Sequence, residues 1–266
     1  MARLKGNIIF TGRVGNVTAY TRNGSEEIIV RKSKGISGER IKKDPAFKLV
    51  RMYGKEFGGC SKAGSKIKRA LYTLTKLADF NITSRLNAIC KTIQGSDTVN
   101  DLGKRSVLFS KEGKLLEGYS LTKRYAFNDV VIAPVNYTIT RDLLSAVVEI
   151  PKLVPGINLI MPGKYPYFRF TLSLGILPDY IYNKDGGYGP VDPANDPVMN
   201  KVHTNWFTSA DPISAQAVEI KLTRMISLSP SESLLLSIGL EPGLMDTSGE
   251  INWIRYTGCA QILGLR

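Results

Sequence analysis

The sequence predicts an α+β fold, in which an N-terminal β-meander and short helices precede an antiparallel β-sandwich or jelly-roll-like domain. Residues 7–32 contain short β-type runs separated by glycines, and residues 44–95 carry apolar residues at helical spacing. From residue 104 onward, many short alternating runs are separated by Gly, Pro and Asp turns. These shifts predict three parts, listed here: a basic β-meander and linker (1–43), a short basic helical segment (44–100) and a β-sandwich domain (101–266).

The β-meander is predicted from three short runs, at residues 7–10, 17–20 and 28–31. Asn23-Gly24 is a strong hairpin signal because both residues tolerate a positive φ. Three short strands bury too little surface to be stable alone, so we expect this sheet to dock onto something. The basic linker that follows is rich in Gly and Ser, which predicts an extended or partner-dependent segment.

Three helices are predicted after the linker. Asp44 can cap the first helix, with Pro45 in its first turn and Gly58-Gly59 at its end. Its inward stripe would consist of Phe47, Val50, Tyr53 and Phe57. The second helix is predicted over residues 61–78, and the third from Asn81 or Thr83 to Ile93.

The remaining chain reads as β-strands. A hairpin is predicted around Glu112-Gly113, with strands at 106–109 and 115–119. The clearest strand spans residues 167–174, where buried and exposed residues alternate. Other predicted strands lie at 130–132, 136–140, 146–150, 158–161, 180–182, 202–208, 217–222, 234–240 and 251–265. Residues 183–200 form a long loop, and loops of this length are usually functional.

The charge is concentrated at the N-terminus. Residues 1–70 contain 17 Lys/Arg and five acids, whereas residues 71–266 contain 19 Lys/Arg and 18 acids. Such asymmetry predicts contact with nucleic acid, an anionic surface or an acidic patch on a neighbouring subunit. The predicted polyanion- or partner-binding residues are Arg13, Arg22, Arg31, Lys32, Lys34, Arg40, Lys42, Lys43, Lys48, Arg51, Lys55, Lys62, Lys66 and Arg69.

Signatures of catalysis, cofactors and metals are weak. Residues 59–66 resemble a phosphate-binding loop, but the order Ser65-Lys66 is reversed and the preceding segment reads as helix. The chain contains one histidine, His203, that could serve in a catalytic triad, and its sequence has no nucleophile-elbow pattern. The three cysteines, at 60, 90 and 259, have neither metal-site nor disulfide-framework spacing. We therefore expect no catalytic residues, no cofactor and no metal.

The 183–200 loop is a candidate ligand loop through Asp185, Tyr188, Asp192 and Asp196. Its carboxylates suit calcium, but the spacing is irregular and no bidentate Glu closes the loop, so turn residues are the favoured interpretation. An alternative is a sugar-stacking surface, for which the aromatic candidates are Tyr180, Tyr182, Tyr188 and Trp206.

No apolar run approaches the length needed to cross a bilayer, and the first ten residues lack the apolar region of a secretory signal. We expect a protein without a signal peptide or transmembrane segment, in the cytoplasm or in an assembled particle.

Residues 12–24 read GRVGNVTAYTRNG and are followed by Val30-Arg31. This pattern resembles the start of small basic proteins of Bacteroidota, which form families of unknown function. The resemblance covers mainly residues 1–45. It implies a bacterial source and a β-rich C-terminal part, and it transfers no site residues.

Together these observations predict a non-enzymatic structural protein, a self-associating β-sandwich subunit whose basic N-terminal module contacts neighbouring subunits or a polyanion. One alternative is a nucleic-acid-binding protein of low sequence specificity. A second alternative is a carbohydrate-binding module.

Overall fold

The structure, a computed structural model, describes residues 2–3, 10–21, 27–32, 35–193, 198–224 and 227–266. It contains both helices and antiparallel sheets, which confirms the predicted α+β class. The chain forms two compact units, Met1–Arg51 and Met52–Arg266. Within the described ranges, no helix is both long and apolar enough to cross a membrane.

The first unit contains a four-stranded antiparallel sheet with strand order β1-β4-β3-β2. Its strands are β1 (Ala2–Arg3), β2 (Gly12–Val14), β3 (Val17–Thr21) and β4 (Ile28–Lys32). The strands predicted at 17–20 and 28–31 are confirmed. The Asn23-Gly24 turn and most of the strand predicted at 7–10 lie outside the described residues.

The linker contains a helix where the sequence predicts an extended segment. Helix α1 (Gly38–Lys43) begins at Ser37, whose hydroxyl accepts a hydrogen bond from the Arg40 amide at 3.2 Å. At its other end, the Arg51 guanidinium donates to the carbonyls of Ile41 at 2.7 Å and Asp44 at 2.8 Å. The extended prediction is wrong here because these caps satisfy backbone groups that a short helix leaves open.

Asp44 caps a turn, as predicted. Its carboxylate accepts a hydrogen bond from the Ala46 amide at 2.9 Å and starts a 3₁₀ turn, Pro45–Phe47, rather than an α-helix. Helix α2 (Lys48–Ala70) follows directly.

The predicted end of the first helix at Gly58-Gly59 is wrong, because α2 continues through both glycines. A Cβ at Gly59 would lie 2.6 Å from the ring of Tyr188, so the glycine lets the helix approach that ring closely. The predicted inward stripe is also wrong: Tyr53 and Phe57 are exposed, as is Val50, whereas the buried face starts at Glu56.

The second predicted helix, over 61–78, is the C-terminal part of α2 and ends at Ala70, before a 3₁₀ turn at Thr75–Leu77. The third is confirmed as α3 (Thr83–Gly95).

The hairpin predicted around Glu112-Gly113 is wrong. Helix α4 (Phe109–Glu112) and a 3₁₀ turn (Gly113–Leu116) occupy this segment. Phe109 and Leu116 are both buried in one apolar cluster with side chains of α2 and α3, and this packing outweighs the turn signal of Glu112-Gly113. Of the strand predicted at 130–132, Val130 ends α5 (Phe127–Val130) and Val131 forms only an isolated bridge. In the strand predicted at 158–161, Leu159 forms only isolated bridges, to Val131 and Pro155.

The described residues of the second unit form three further sheets. The largest has the order β10-β7-β13-β14, with β11 also pairing with β7 and β15 with β13; a second has the order β12-β6-β5, and a third pairs β8 with β9. Their bounds are β5 (Asn136–Thr140), β6 (Ser145–Ile150), β7 (Tyr167–Pro178), β8 (Tyr180–Tyr182), β9 (Tyr188–Pro190), β10 (Met199–His203), β11 (Phe207–Thr208), β12 (Gln216–Lys221), β13 (Glu232–Met245), β14 (Ile251–Trp253) and β15 (Cys259–Leu265).

Two apolar clusters form the core of this unit. In one, Phe170 and Leu172 of the largest sheet pack with Val148 of the three-stranded sheet. In the other, Ile67 of α2 and Leu86 of α3 share a cluster with Leu235 of β13 and Ile262 of β15. Neighbouring residues of β13, Leu234 and Leu235, enter different clusters because strand side chains alternate in direction. The predicted helical segment therefore contributes to the core of the β-rich unit from Cys60 onward.

Candidate functional site

The predicted binding cations of the first unit lie mostly on its surface. Arg13, Arg31 and Lys32 are exposed at the sheet, and Arg40, Lys42, Lys43 and Lys48 are exposed on or near α1. Arg31 lies over the ring of Tyr20, with the guanidinium carbon 5.7 Å from the ring centroid. Arg22 and Lys34 lie outside the described residues. The exposed cations therefore face solvent within one unit of the chain.

Two of these cations are matched by acids within α1 and its C-terminus. Arg40 Nε lies 3.0 Å from an Asp44 carboxylate oxygen, and Lys43 Nζ lies 2.8 Å from Glu39. Such exposed pairs contribute little to stability. Lys32, Lys42 and Lys48 form no ion pair with any residue that the structure describes, so their charge faces solvent.

Most of the predicted cations farther along α2 contact other groups of the protein. Arg51 caps α1, as described above. Lys55 Nζ lies 3.4 Å from the hydroxyl of Tyr182, and Lys62 Nζ donates to the carbonyl of Tyr188 at 2.8 Å. Burial, with the charge of Arg69 nearby, lowers the pKa of Lys66. These contacts hold the β8–β9 hairpin at Lys55 and Lys62, whereas Arg69 is exposed.

The candidate ligand loop does not gather its predicted residues. Asp185 is exposed in the turn between β8 and β9, and Asp192 is half-buried beyond it. Tyr188 is buried, and its hydroxyl donates to the carbonyl of Arg105 at 2.9 Å. Burial raises the pKa of Tyr188. Asp196 lies outside the described residues. In the described part of the chain, no three His, Cys, Asp or Glu side chains are grouped to hold a metal ion.

The aromatic residues predicted for sugar stacking do not form one exposed surface, because most of their rings are buried or covered. Tyr180 and Tyr188 are both buried, so their ring faces are not available to a sugar. Trp206 is half-buried and its ring is covered by Arg169, whose guanidinium carbon is 4.5 Å from the ring centroid. Tyr182, the fourth, is half-buried beside the Tyr188 ring, and these positions together disfavour a carbohydrate surface built from the four residues.

The described residues of the first unit form almost no core of their own. Among its described side chains, Ala19 and Ile28 are buried. Large apolar side chains are exposed instead, including Val14 on the edge strand β2 at 64% and Ile36 at 50%. This exposed apolar surface lies in the same unit as the exposed cations.

A buried charge cluster that the sequence does not predict lies on the largest sheet. The Glu241 carboxylate on β13 is fully buried and lies opposite Arg169 on β7. Arg169 donates to it from Nε at 3.0 Å and Nη2 at 2.9 Å, and Lys76 Nζ lies 3.0 Å from its other oxygen. Although burial alone raises the pKa of Glu241, these cations lower it below the usual range.

His203 stands beside this cluster. Its Nδ1 lies 2.8 Å from the hydroxyl of Thr171, its cross-strand neighbour. Burial, together with the charge of Arg169, lowers the pKa of His203, so the ring is neutral near pH 7. The sequence carries one signal of the buried charge cluster, namely a charged residue inside each of two apolar strands, at positions 169 and 241.

A second buried carboxylate joins α2, α3 and the loop after α3. Glu56 accepts hydrogen bonds from Lys91 at 2.6 Å, from the Gly103 amide at 2.9 Å, and from two nitrogens of Arg105 at 2.7 Å each. Burial alone raises the pKa of Glu56, but these donors lower it to about 2. This cluster is fully occupied by its own partners and therefore serves the fold.

Comparisons of the chain with protein-family models, with curated proteins and with solved structures gave no match. The resemblance to Bacteroidota families therefore stays a prediction.

Proposed function

We propose that this protein is a non-enzymatic structural subunit that associates with copies of itself through the unit Met1–Arg51. The proposal is supported by one observation above all: a four-stranded sheet with two buried side chains among its described residues. A sheet needs an apolar face covered to be stable, and a neighbouring subunit provides such a cover. In this proposal the second unit is the sandwich-like body of the subunit, in the cytoplasm or in an assembled particle.

The edges of this sheet favour contact between copies. Strands β1 and β2 are its outer strands, and each pairs with one neighbour. Edge strands carry backbone donors and acceptors that a strand from another chain can pair with. The exposed Val14 on β2 gives that edge an apolar contact as well.

A polyanion is the second candidate partner, and the unpaired cations favour it. Residues 1–51 contain 12 Lys/Arg and four acids. Lys32, Lys42 and Lys48 are exposed without an acidic partner in the described residues. Phosphates neutralise such charges with release of counterions, so this binding is sensitive to salt.

Light scattering of the full chain tests self-association. We expect a mass several times 29.3 kDa at low and high salt, before and after nuclease treatment, because apolar and edge contacts resist salt. Val14→Lys should reduce the mass, since a charge on an edge strand opposes pairing. Val99→Lys is the matched control, because Val99 is an exposed valine of the second unit. A 29.3 kDa monomer under every condition contradicts the proposal.

A salt titration with single-stranded and duplex DNA tests the polyanion. Gln substitution of Lys32, Lys42 and Lys48 should lower the log–log salt slope by about one for each phosphate that the variant no longer binds. Gln substitution of Lys104, Lys152 and Lys164 removes the same charge from exposed positions of the second unit. Equal slopes for the two triple variants, or no DNA binding at low salt, exclude this role for the N-terminal unit.

A further inference from the structure

A cavity of about 420 Å³ opens on the second unit, next to the 3₁₀ turn Thr75–Leu77. Its main lining residues combine three cations with three aromatic rings: Tyr72, Lys76, Lys201, Trp253, Arg255 and Tyr256. None of these residues belongs to the N-terminal unit, so the inference below is independent of the proposed function.

The cavity presents positive charge to a ligand. No carboxylate is among its described lining residues, and Lys76 pairs with the buried Glu241, which also has Arg169 as a partner. Lys201 and Arg255 are exposed and form no ion pair with a described carboxylate. The neighbouring His203 is neutral and adds no charge. The site therefore favours an anion carrying more than one negative charge.

The aromatic rings are not equally available. Lys76 Nζ lies 3.9 Å from the centroid of the Trp253 ring and covers one of its faces. Tyr72 and Tyr256 are 72% and 68% exposed, so much of each ring is open to solvent. Exposed rings beside cations suit a ligand that joins a planar ring to an anionic group, because the ring stacks while the cations bind the charge.

The cavity wall also holds an unused hydrogen-bonding group. Thr73 lines the cavity, and its hydroxyl oxygen is buried without a hydrogen-bond partner among the described atoms. A buried polar atom without a partner is costly, so the fold itself leaves this hydroxyl of a lining residue unsatisfied.

The loop that carries Arg255 and Tyr256 is held in an unusual conformation. Tyr256 has φ +57°, in the left-handed region that residues other than glycine rarely adopt. Its amide donates to the carbonyl of Lys76 at 3.1 Å, which fixes the loop to the turn that bears the lysine. Backbone strain of this kind is found at ligand sites, where surrounding contacts maintain it.

We propose that this cavity binds a nucleoside phosphate, with the base against Tyr72 or Tyr256 and the phosphate at Lys201 and Arg255. The same chemistry occurs in a free nucleotide and in one residue of a single strand. The site is too small for a duplex, since a 420 Å³ cavity matches a ligand of small-molecule size.

Isothermal titration calorimetry of the full chain with adenosine 5′-monophosphate tests the proposal. We expect binding that weakens with salt, and at least about tenfold weaker binding of adenosine, which lacks the phosphate, and of ribose 5-phosphate, which lacks the base. Arg255→Gln with Lys201→Gln should weaken binding at least about tenfold, and Tyr72→Ala several-fold.

The variants are at exposed positions, so folding should be unaffected, and circular dichroism verifies this. Lys164→Gln with Lys184→Gln and, separately, Tyr125→Ala are matched controls, because these exposed residues do not line the cavity. The inference is overturned if adenosine monophosphate does not bind, if phosphate alone binds as tightly, or if the controls weaken binding as much as the cavity variants.

A 5′-phosphorylated adenine tetranucleotide separates the two sources of the ligand. At least about tenfold tighter binding than the mononucleotide, abolished in the double cation variant, assigns the site to a single strand. Equal binding of both assigns it to free nucleotides. Failure of the N-terminal unit to associate leaves these measurements unchanged, so the two proposals are tested separately.

Discussion

At the scale of residues, the second unit contains two buried carboxylates that are paired with cations. Glu56 and Glu241 are both fully buried, and each is matched by two cations. A buried carboxylate without partners would be neutralised by protonation, so the cations determine that these groups stay charged. The two clusters differ in surroundings: Glu56 is also bonded to a backbone amide, whereas Lys76 of the Glu241 cluster lines an open cavity.

The lowered pKa of Glu56 makes stability depend on pH. Its pKa falls from an ordinary 4.5 to about 2 on folding, so its contribution is complete above pH 4.5 and is lost as the pH falls toward 2. We expect Glu56→Gln to lower the free energy of unfolding by about 3 kcal/mol at pH 7 and about half as much at pH 3. Urea unfolding at both pH values measures this difference.

Glu219→Gln, at an exposed position, is the control and should change stability by less than about 0.5 kcal/mol at either pH. A Glu56→Gln deficit that is the same at pH 7 and pH 3 would show that the carboxylate's charge does not contribute.

The residue pairs of these clusters could not be predicted from the sequence. Arg169 and Glu241 are 72 positions apart and meet because β7 and β13 pair in one particular register. A shift of one residue would turn one of the two side chains to the opposite face of the sheet. Excess charge, by contrast, is visible in the composition, which explains why the sequence pointed to the N-terminal cations and not to the cavity.

At the scale of elements, the glycines of helix α2 show how close packing depends on the absence of a side chain. Its four interior glycines fall into two classes. Gly54 and Gly58 have nothing near an added Cβ, whereas Gly59 and Gly64 approach Tyr188 and Asn87 closely. In the sequence, Gly58-Gly59 predicts a helix end because glycine is unfavourable inside helices. The sequence does not show that close packing at Gly59 requires the absence of a side chain.

These two classes predict opposite effects of alanine. Gly54→Ala should raise the free energy of unfolding by about 0.5–1 kcal/mol, because it removes backbone freedom at an exposed helical position. Gly59→Ala should lower it by about 1–3 kcal/mol, because its Cβ would lie 2.6 Å from the Tyr188 ring. Thermal and urea unfolding measure both effects, and effects of the same sign for the two variants would contradict the assigned packing.

Strands were predicted better than their connections. The predicted bounds of β5 and β8 agree with the structure, because alternation and flanking turn residues coincide there. The segment 106–119 failed because apolar residues in short runs fit a strand or a helix equally well, and only packing in the second core cluster decides between them.

At the scale of the whole molecule, the excess positive charge is densest in the first unit, whereas the apolar core clusters lie in the second. Residues 1–51 carry a net charge of +8 by composition, and residues 52–266 carry +5. Both core clusters consist of residues from Cys60 onward. The stability of the second unit therefore comes from its own apolar packing, while the described residues of the first unit combine exposed charge with little core.

A chain that begins at Pro45 should keep the fold of the second unit. We expect one cooperative urea transition, because both core clusters are complete, and we expect the truncated chain to lose the assembly formed by the full chain. Circular dichroism and light scattering measure the two properties. A truncated chain that unfolds without a cooperative transition, or that still assembles, would contradict this division of roles.

The chain contains two tryptophans, Trp206 and Trp253, and each ring has a cation of the Glu241 cluster over it. Indole emission responds to charge near the ring, so the protein carries its own optical probe of this region. Excitation at the red edge of the absorption band would follow events at the cluster without any attached dye. Replacing one indole at a time with phenylalanine would assign the signal to the side of the carboxylate from which it comes.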